Sequence, residues 1–222
     1  MTPEDFYRQS VLDAIIADTP EAFWRRTGER AQFVYGDSYA AVEADPALLP
    51  EQRLQKLYQE RYFKMEHALI TVGSETGMPG SAKLVGINQC YYAFAAKGRI
   101  GITQSYVPLS GDMPKPAAFR KQLAEMAEFE RALRLPLDDE PIELVTPKSV
   151  MGILLHSPVG RRFNKDDQNL GTLGFFVAYK DYSGWAVQLA LAEILAAYVP
   201  VEKREDRAAP LRKTASKTGT EE

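Results

Sequence analysis

The sequence predicts an α+β protein with a mostly antiparallel mixed sheet and a central β-hairpin. Two long amphipathic helices pack the sheet, and an N-terminal helical appendage precedes it. Three observations carry this reading. Apolar residues between Leu54 and Val72 recur at steps of three and four, the period of a half-buried helix. Two runs rich in β-branched and aromatic residues, 84–95 and 99–107, flank Lys97-Gly98, a pair suited to a tight turn with positive φ. The strand-like runs also follow one another with helices inserted once or twice, whereas a doubly wound sheet would alternate strictly; a Rossmann-like arrangement is the alternative.

Thr2-Pro3-Glu4-Asp5 reads as a helix start: threonine caps orphan amides, proline is tolerated in the first turn, and the acids complement the helix dipole. Val11, Leu12, Ile15 and Ile16 mark the buried stripe of that helix. Thr19-Pro20-Glu21 repeats the grammar and opens a second short helix with Phe23 and Trp24 on its apolar side. Gly36, Asp37, Asp45, Pro46 and Pro50 give residues 36–50 the composition of a connector, and the appendage is bounded there. The long helix follows from Pro50. Gly73, Gly77, Pro79 and Gly80 require it to end between 72 and 80.

After the hairpin and a proline-rich loop (Pro108, Pro114, Pro116), Phe119, Leu123, Met126, Phe129 and Leu133 mark a second amphipathic helix ending before Pro136. Short apolar runs at 142–145, 150–155, 173–179 and 186–190 read as strands, and 192–198 as a closing helix. The stretch beyond Pro200 mixes charges of both signs with almost nothing apolar and is expected to stay solvated. The expected organisation is a helical appendage over 1–49, an α+β core over 50–201 and a flexible charged tail over 202–222.

Composition narrows the function classes. Hydrophobic residues at 45% and charged residues at 26% exclude a disordered, collagenous or disulfide-scaffold chain. A net charge of −3 gives no general attraction to nucleic acid, so such contact would need a local basic patch. Cys90 is the only cysteine, and His67 and His156 are the two histidines, so neither an intramolecular disulfide nor a Cys/His zinc site can form. No cofactor or metal is expected. The start MTPEDFYRQS lacks the basic and apolar segments of a signal peptide, and no apolar run approaches the roughly 18 residues of a spanning helix; a cytoplasmic chain without membrane contact is expected.

One polar segment has a composition suited to chemistry. His156 follows the apolar run 150–155, and Arg161, Arg162, Lys165, Asp166 and Asp167 come next, in a loop opening from a strand end. In a catalytic reading His156 carries a proton, Arg161, Arg162 and Lys165 hold an anion, and Asp166 or Asp167 orients the imidazole or binds a divalent ion. The competing reading is a charged surface loop. Gly73–Lys83 resembles a phosphate cradle in composition only, since no Gly-Lys-Ser/Thr occurs and a helix precedes it. His67 has no second ligand at zinc-helix spacing, Cys90 has no evident base, and Asp138-Asp139-Glu140 reads as a solvated turn. The hairpin aromatics Tyr91, Tyr92, Phe94 and Tyr106 have the types found on RNA-stacking sheets, but such residues are more often core.

With no complete catalytic or cofactor motif, the leading expectation is a binding or regulatory protein of a bacterial-type cytosol that acts through contacts with another protein. The first alternative is a hydrolase or phosphoryl-handling enzyme using the 156–167 loop, so the sequence leaves enzymatic activity open. The second is nucleic-acid contact through Arg161, Arg162 and the tail residues Arg212, Lys213 and Lys217. The sequence gives no oligomeric state.

Overall fold

Thr2 accepts the amide of Asp5 on its hydroxyl, and the Asp5 carboxylate returns the bond to Thr2 N–H, so a reciprocal cap starts helix α1, Pro3–Asp18. The computed structural model describes residues 2–85, 90–127, 129 and 147–199. Helix α1 ends at Thr19, and α2, Glu21–Glu43, begins on Pro20. Thr19 ties this corner together: its hydroxyl donates to Ile15 O at 2.7 Å and receives the Trp24 indole N–H at 2.8 Å.

The expected connector over 36–50 is helical as far as Glu43. Phe23, Trp24, Thr27, Ala31, Val34, Tyr35, Ser38, Tyr39 and Val42 are buried at spacings of three and four, and this stripe carries α2 through Gly36. Helix α3, Pro50–Thr76, holds to the period read from its sequence, with Leu57, Met65, Leu69 and Val72 buried. Gly77 ends it in the left-handed region at φ 77°, and Met78 N–H closes back on Gly73 O at 2.8 Å.

The open six-stranded sheet runs in chain order: β1 Gly80–Val85, β2 Cys90–Lys97, β3 Ile100–Tyr106, β4 Val150–Pro158, β5 Leu170–Ala178, β6 Trp185–Ala190. Every neighbouring pair is antiparallel except β3 and β4, which run parallel. The fold is therefore α+β with a mixed, mostly antiparallel sheet, as its sequence predicts. Lys97 pairs with Ile100 across the hairpin, and Gly98 supplies the positive φ of 57°. The 84–95 run is not a single strand: Val85 closes β1 and Cys90 opens β2, paired with each other. Helix α4, Ala118–Ala127, lies in the crossover between β3 and β4, and α5, Leu191–Tyr198, follows β6 directly. The expected strand at 142–145, the far end of the second amphipathic helix and the charged tail lie outside the described residues.

Strand alternation divides the sheet into two faces. Ala93, Ala95, Ile100, Ile102, Leu154, Phe175, Val177 and Leu189 point to the face covered by α1, α2, α3 and α5. Val11, Ala14 and Ile15 of α1 and Phe23, Trp24, Ala31 and Val34 of α2 belong to that same core, so the segment expected as an appendage packs directly on the sheet's main layer. On the other face Phe119 of α4 stacks on Tyr92 at 4.2 Å between centroids, and Val107, Ile153, Leu155 and Phe176 form a smaller cluster with Tyr182 and Trp185. No helix among the described residues is long and apolar enough to cross a membrane.

Candidate functional site

His156 is not part of the polar loop. The apolar run that begins at Val150 stays in β4 through Pro158, and position 156 falls on the helix-covered face, where the imidazole is fully buried. Its Nδ1 lies 2.9 Å from the Tyr35 hydroxyl and its Nε2 3.0 Å from Gln104 Oε1. Gln104 Nε2 donates to Glu66 Oε1 at 2.7 Å, so its oxygen faces the histidine. Nε2 therefore carries the proton and Nδ1 accepts from Tyr35. The Glu66 carboxylate also receives the Ala93 amide, which ties this hydrogen-bonded line to β2. Burial, followed by the nearby Arg61 cation, pushes the His156 pKa down to about 3, so the ring is neutral at ordinary pH. Burial shifts Glu66 the other way, above the usual carboxylate range, with its hydrogen-bond donors pulling back.

Arg61 anchors the polar loop from below. The side chain is fully buried, its Nη1 donates to Gln168 Oε1 at 2.8 Å, and its Nη2 donates to Gln168 O at 2.5 Å. No carboxylate pairs with it among the described residues. Burial lowers its pKa from the ordinary arginine value, opposed by the surrounding tyrosines. Gln168 spends its own amide on Arg162 O and Gly160 O, and Asp167 accepts the Arg162 amide at 2.9 Å. Phe163 stacks on Tyr39 at 5.0 Å with Arg53 over its other side.

The loop thus holds its own shape, with Phe163 and Gln168 turned inward. Arg161, Arg162, Lys165 and Asp166 are exposed, and no hydrogen bond or ion pair among the described residues joins any of them, or Asp167, to His156. The six residues marked out in the sequence therefore do not converge. Arg212, Lys213 and Lys217, and the Asp138-Asp139-Glu140 cluster, lie outside the described residues. Among the described residues no group of three His, Cys, Asp or Glu side chains is placed to hold a metal ion.

Convergence occurs instead at the C-terminal end of β3. A cleft of about 620 Å³ opens between α3 and the segment from Val107 to Arg120. That volume suits a drug-sized or metabolite-sized molecule. Tyr58, Tyr62 and Phe63 form one wall, and Tyr106 extends the aromatic surface from β3, its ring stacked on Tyr58 at 4.6 Å. Val107, Met113 and Pro114 form the opposite wall. Burial pushes the Tyr62 hydroxyl up to about 12, so it stays protonated, and Tyr106 is raised for the same reason.

The wall loop is itself fastened. Trp185 donates to Gly111 O at 3.0 Å, Tyr182 to Pro114 O at 3.4 Å, and Val107 N–H to His156 O at 3.0 Å. Arg120 enters the cleft from the first turn of α4; its Nη1 holds Lys115 O at 2.9 Å and its Nη2 reaches Ser105 Oγ at 3.2 Å. Its Nε–H is shielded from solvent and has no hydrogen-bond partner among the described residues.

Sequence reading did not single out Arg120, Ser105, Lys115 or Arg61. The meeting of Arg120, Ser105 and Lys115 depends on the parallel β3–β4 crossover, which folds the proline-rich loop back over α3. The available signal was the recurrence of tyrosine at 58, 62 and 106, beyond what a core of aliphatic residues needs. Compared with known proteins, the chain matches no family model, no curated protein and no solved structure.

Proposed function

We propose that this chain is a non-catalytic binding protein that takes a small molecule in the cleft at the end of β3 and acts on a partner protein when the cleft is filled. One observation carries the reading: a cleft of ligand size has aromatic walls and the cations Arg120 and Lys115 in its lining, with no base–nucleophile or paired-carboxylate arrangement among the described residues. Its position outside the carboxyl end of a strand of the parallel pair is one where ligands commonly bind in sheets with parallel strands. Phe63, 67% exposed at the mouth, provides apolar surface for the partner contact. The catalytic alternative on the 156–167 loop draws no comparable support, because His156 has both ring nitrogens engaged in the core and the loop's charges point outward.

A fragment library of mixed charge, screened by ligand-observed NMR against the full chain and a Gln59→Trp variant, tests the reading. Gln59 is exposed and lines the cleft, so tryptophan there fills the mouth without disturbing the core. Fragments that bind the native chain and are lost in the variant support a cleft ligand. A screen without such fragments, or hits indifferent to Gln59→Trp, would overturn it.

A further inference from the structure

We infer that the ligand of this cleft is an aromatic monocarboxylate, with its carboxylate between Arg120 and Lys115 and its ring against Tyr62 and Tyr106. The inference rests on the cleft reading above and adds the chemical class.

Charge comes first. Among the described residues Arg120 and Lys115 line the cleft with no ion pair, and Asp112 is the one acid in the lining. The two lining cations exceed the one lining carboxylate and favour an anion, while the Glu66 carboxylate, hydrogen-bonded to Tyr62, also acts on Arg120. A monoanion answers these cations; a phosphate monoester or dicarboxylate would bring a second negative charge towards Asp112 and Glu66.

Hydrogen bonding comes second. The Arg120 guanidinium is already oriented, with Nη1 on the Lys115 carbonyl and Nη2 on Ser105 Oγ, and each of these nitrogens carries a second N–H. A guanidinium held in place this way loses little freedom on binding, and a charge-assisted bond to it is stronger than one between neutral groups. One carboxylate oxygen meets a remaining Nη–H of Arg120, and the Lys115 ammonium approaches the second oxygen as a point charge.

Shape comes third. Apart from Gln59 at the mouth, the rest of the wall is aromatic or apolar, with Tyr58, Tyr62, Phe63, Tyr106, Met113 and Pro114. A planar ring stacks in offset fashion on tyrosine faces at little entropic cost, and a methionine conforms to its edge. The two halves of the cleft thus select an acid carrying a flat apolar body.

The test is calorimetric titration of the full chain with indole-3-acetate and its neutral isostere indole-3-acetamide, with inorganic phosphate as a dianionic control. The acid is expected to bind at least tenfold more tightly than the amide, phosphate not measurably, and Gln59→Trp to abolish binding of both organic probes. Arg120→Gln should remove the preference for the acid. Because Arg120 also braces Lys115 and Ser105, Lys115→Gln at an exposed site serves as the second variant, with a several-fold loss for the acid and none for the amide. Equal affinity for acid and amide, or tighter binding of phosphate, would overturn the assignment while leaving the cleft as a binding site. If neither organic probe binds, the assignment fails; the mixed-charge screen then decides separately whether the cleft reading fails with it.

Discussion

The guanidinium carbon of Arg61 stands 3.9 Å from the centroid of the Tyr35 ring, and the hydroxyl of that same tyrosine lies 2.9 Å from His156. A buried cation, a ring and a neutral imidazole therefore follow one another beneath the polar loop, the cation over the tyrosine face and the imidazole edge-on to it. The cation is compensated by π electrons and by carbonyl oxygens, with no acid in contact among the described residues.

Replacing Arg61 should be severe. Arg61→Met leaves both oxygens of Gln168 without their donor inside the core, and a loss on the order of 3 kcal/mol is expected in urea unfolding. Arg61→Lys should recover only part of this, because an ammonium cannot serve two acceptors in a fixed fork while lying flat on Tyr35. Removing Gln168 in either background should show coupling, since the two residues share one set of bonds. A loss below about 1 kcal/mol for Arg61→Met would mean that the loop is held by other contacts.

His156 makes stability depend on pH. Its folded pKa of about 3 lies below the ordinary value near 6.5, so between these values the unfolded chain binds the extra proton. Its contribution is intact above pH 6.5 and declines as pH falls, by about 1.4 kcal/mol for each pH unit within that window. Glu66 works with the opposite sign. Its raised pKa means that burying the carboxylate costs stability at neutral pH, and this cost is relieved as pH falls through the folded value. Asp18, held below the usual carboxylate range by Arg99, adds to acid destabilisation only in the lowest part of the range. His156→Gln should therefore flatten the stability profile of the native chain between pH 6.5 and 4.5. Parallel slopes for the two proteins in denaturant titrations would contradict a neutral buried His156.

Much of the architecture is legible because local chemistry and burial agree. The Thr2 cap, the apolar period of α3, the arrest at Gly77 and the hairpin turn each follow from a few residues whose preferences the tertiary structure does not oppose. Two elements were hidden for opposite reasons. Helix α2 passes through Gly36 because its buried stripe from Ala31 to Val42 outweighs one poor helix former; weight given to glycine and aspartate obscured that stripe. Strand β1 is an exposed edge whose Ser81, Ala82 and Lys83 show no alternation, since neither face is buried enough to impose one. A polar residue that ends an apolar run resembles a boundary, and on sequence alone His156 groups with the loop. Its partners Tyr35 and Gln104 come from distant segments that the chain order does not connect. The cleft was illegible for the same reason, as α3, β3 and α4 supply its parts from positions 58 to 120.

Two glycines give an internal control on backbone strain. At Gly98, φ is +57° and a Cβ would lie 2.6 Å from the Asp18 carboxyl carbon, the group that accepts the Arg99 amide at 3.0 Å and Arg99 Nε at 2.7 Å. Gly98→Ala should cost about 1–3 kcal/mol through strain and displacement of Asp18. At Gly36, mid-helix, a Cβ meets nothing within 4 Å, and Gly36→Ala should stabilise by about 0.5–1 kcal/mol. Thermal melts of the two variants should therefore move in opposite directions. A stabilising Gly98→Ala would refute the turn geometry.

The adjacent carboxylates Asp166 and Asp167 separate a structural loop from a catalytic one. Asp167 accepts the Arg162 amide at 2.9 Å, its own amide donates to Asn164 Oδ1 at 2.8 Å, and its carbonyl takes the Gly160 amide at 2.7 Å. Losing the carboxylate removes the first of these and frees the backbone at 162, an effect of about 1 kcal/mol that should also speed proteolytic cutting within 160–167. Asp166 is exposed, so Asp166→Ala should stay within about 0.5 kcal/mol and leave the cutting rate unchanged. Neither substitution should alter ligand affinity in the cleft, because neither residue lines it. If Asp166→Ala abolished a measured activity while stability held, the loop would be a site of chemistry; unequal stability effects with no loss of function assign it to the scaffold.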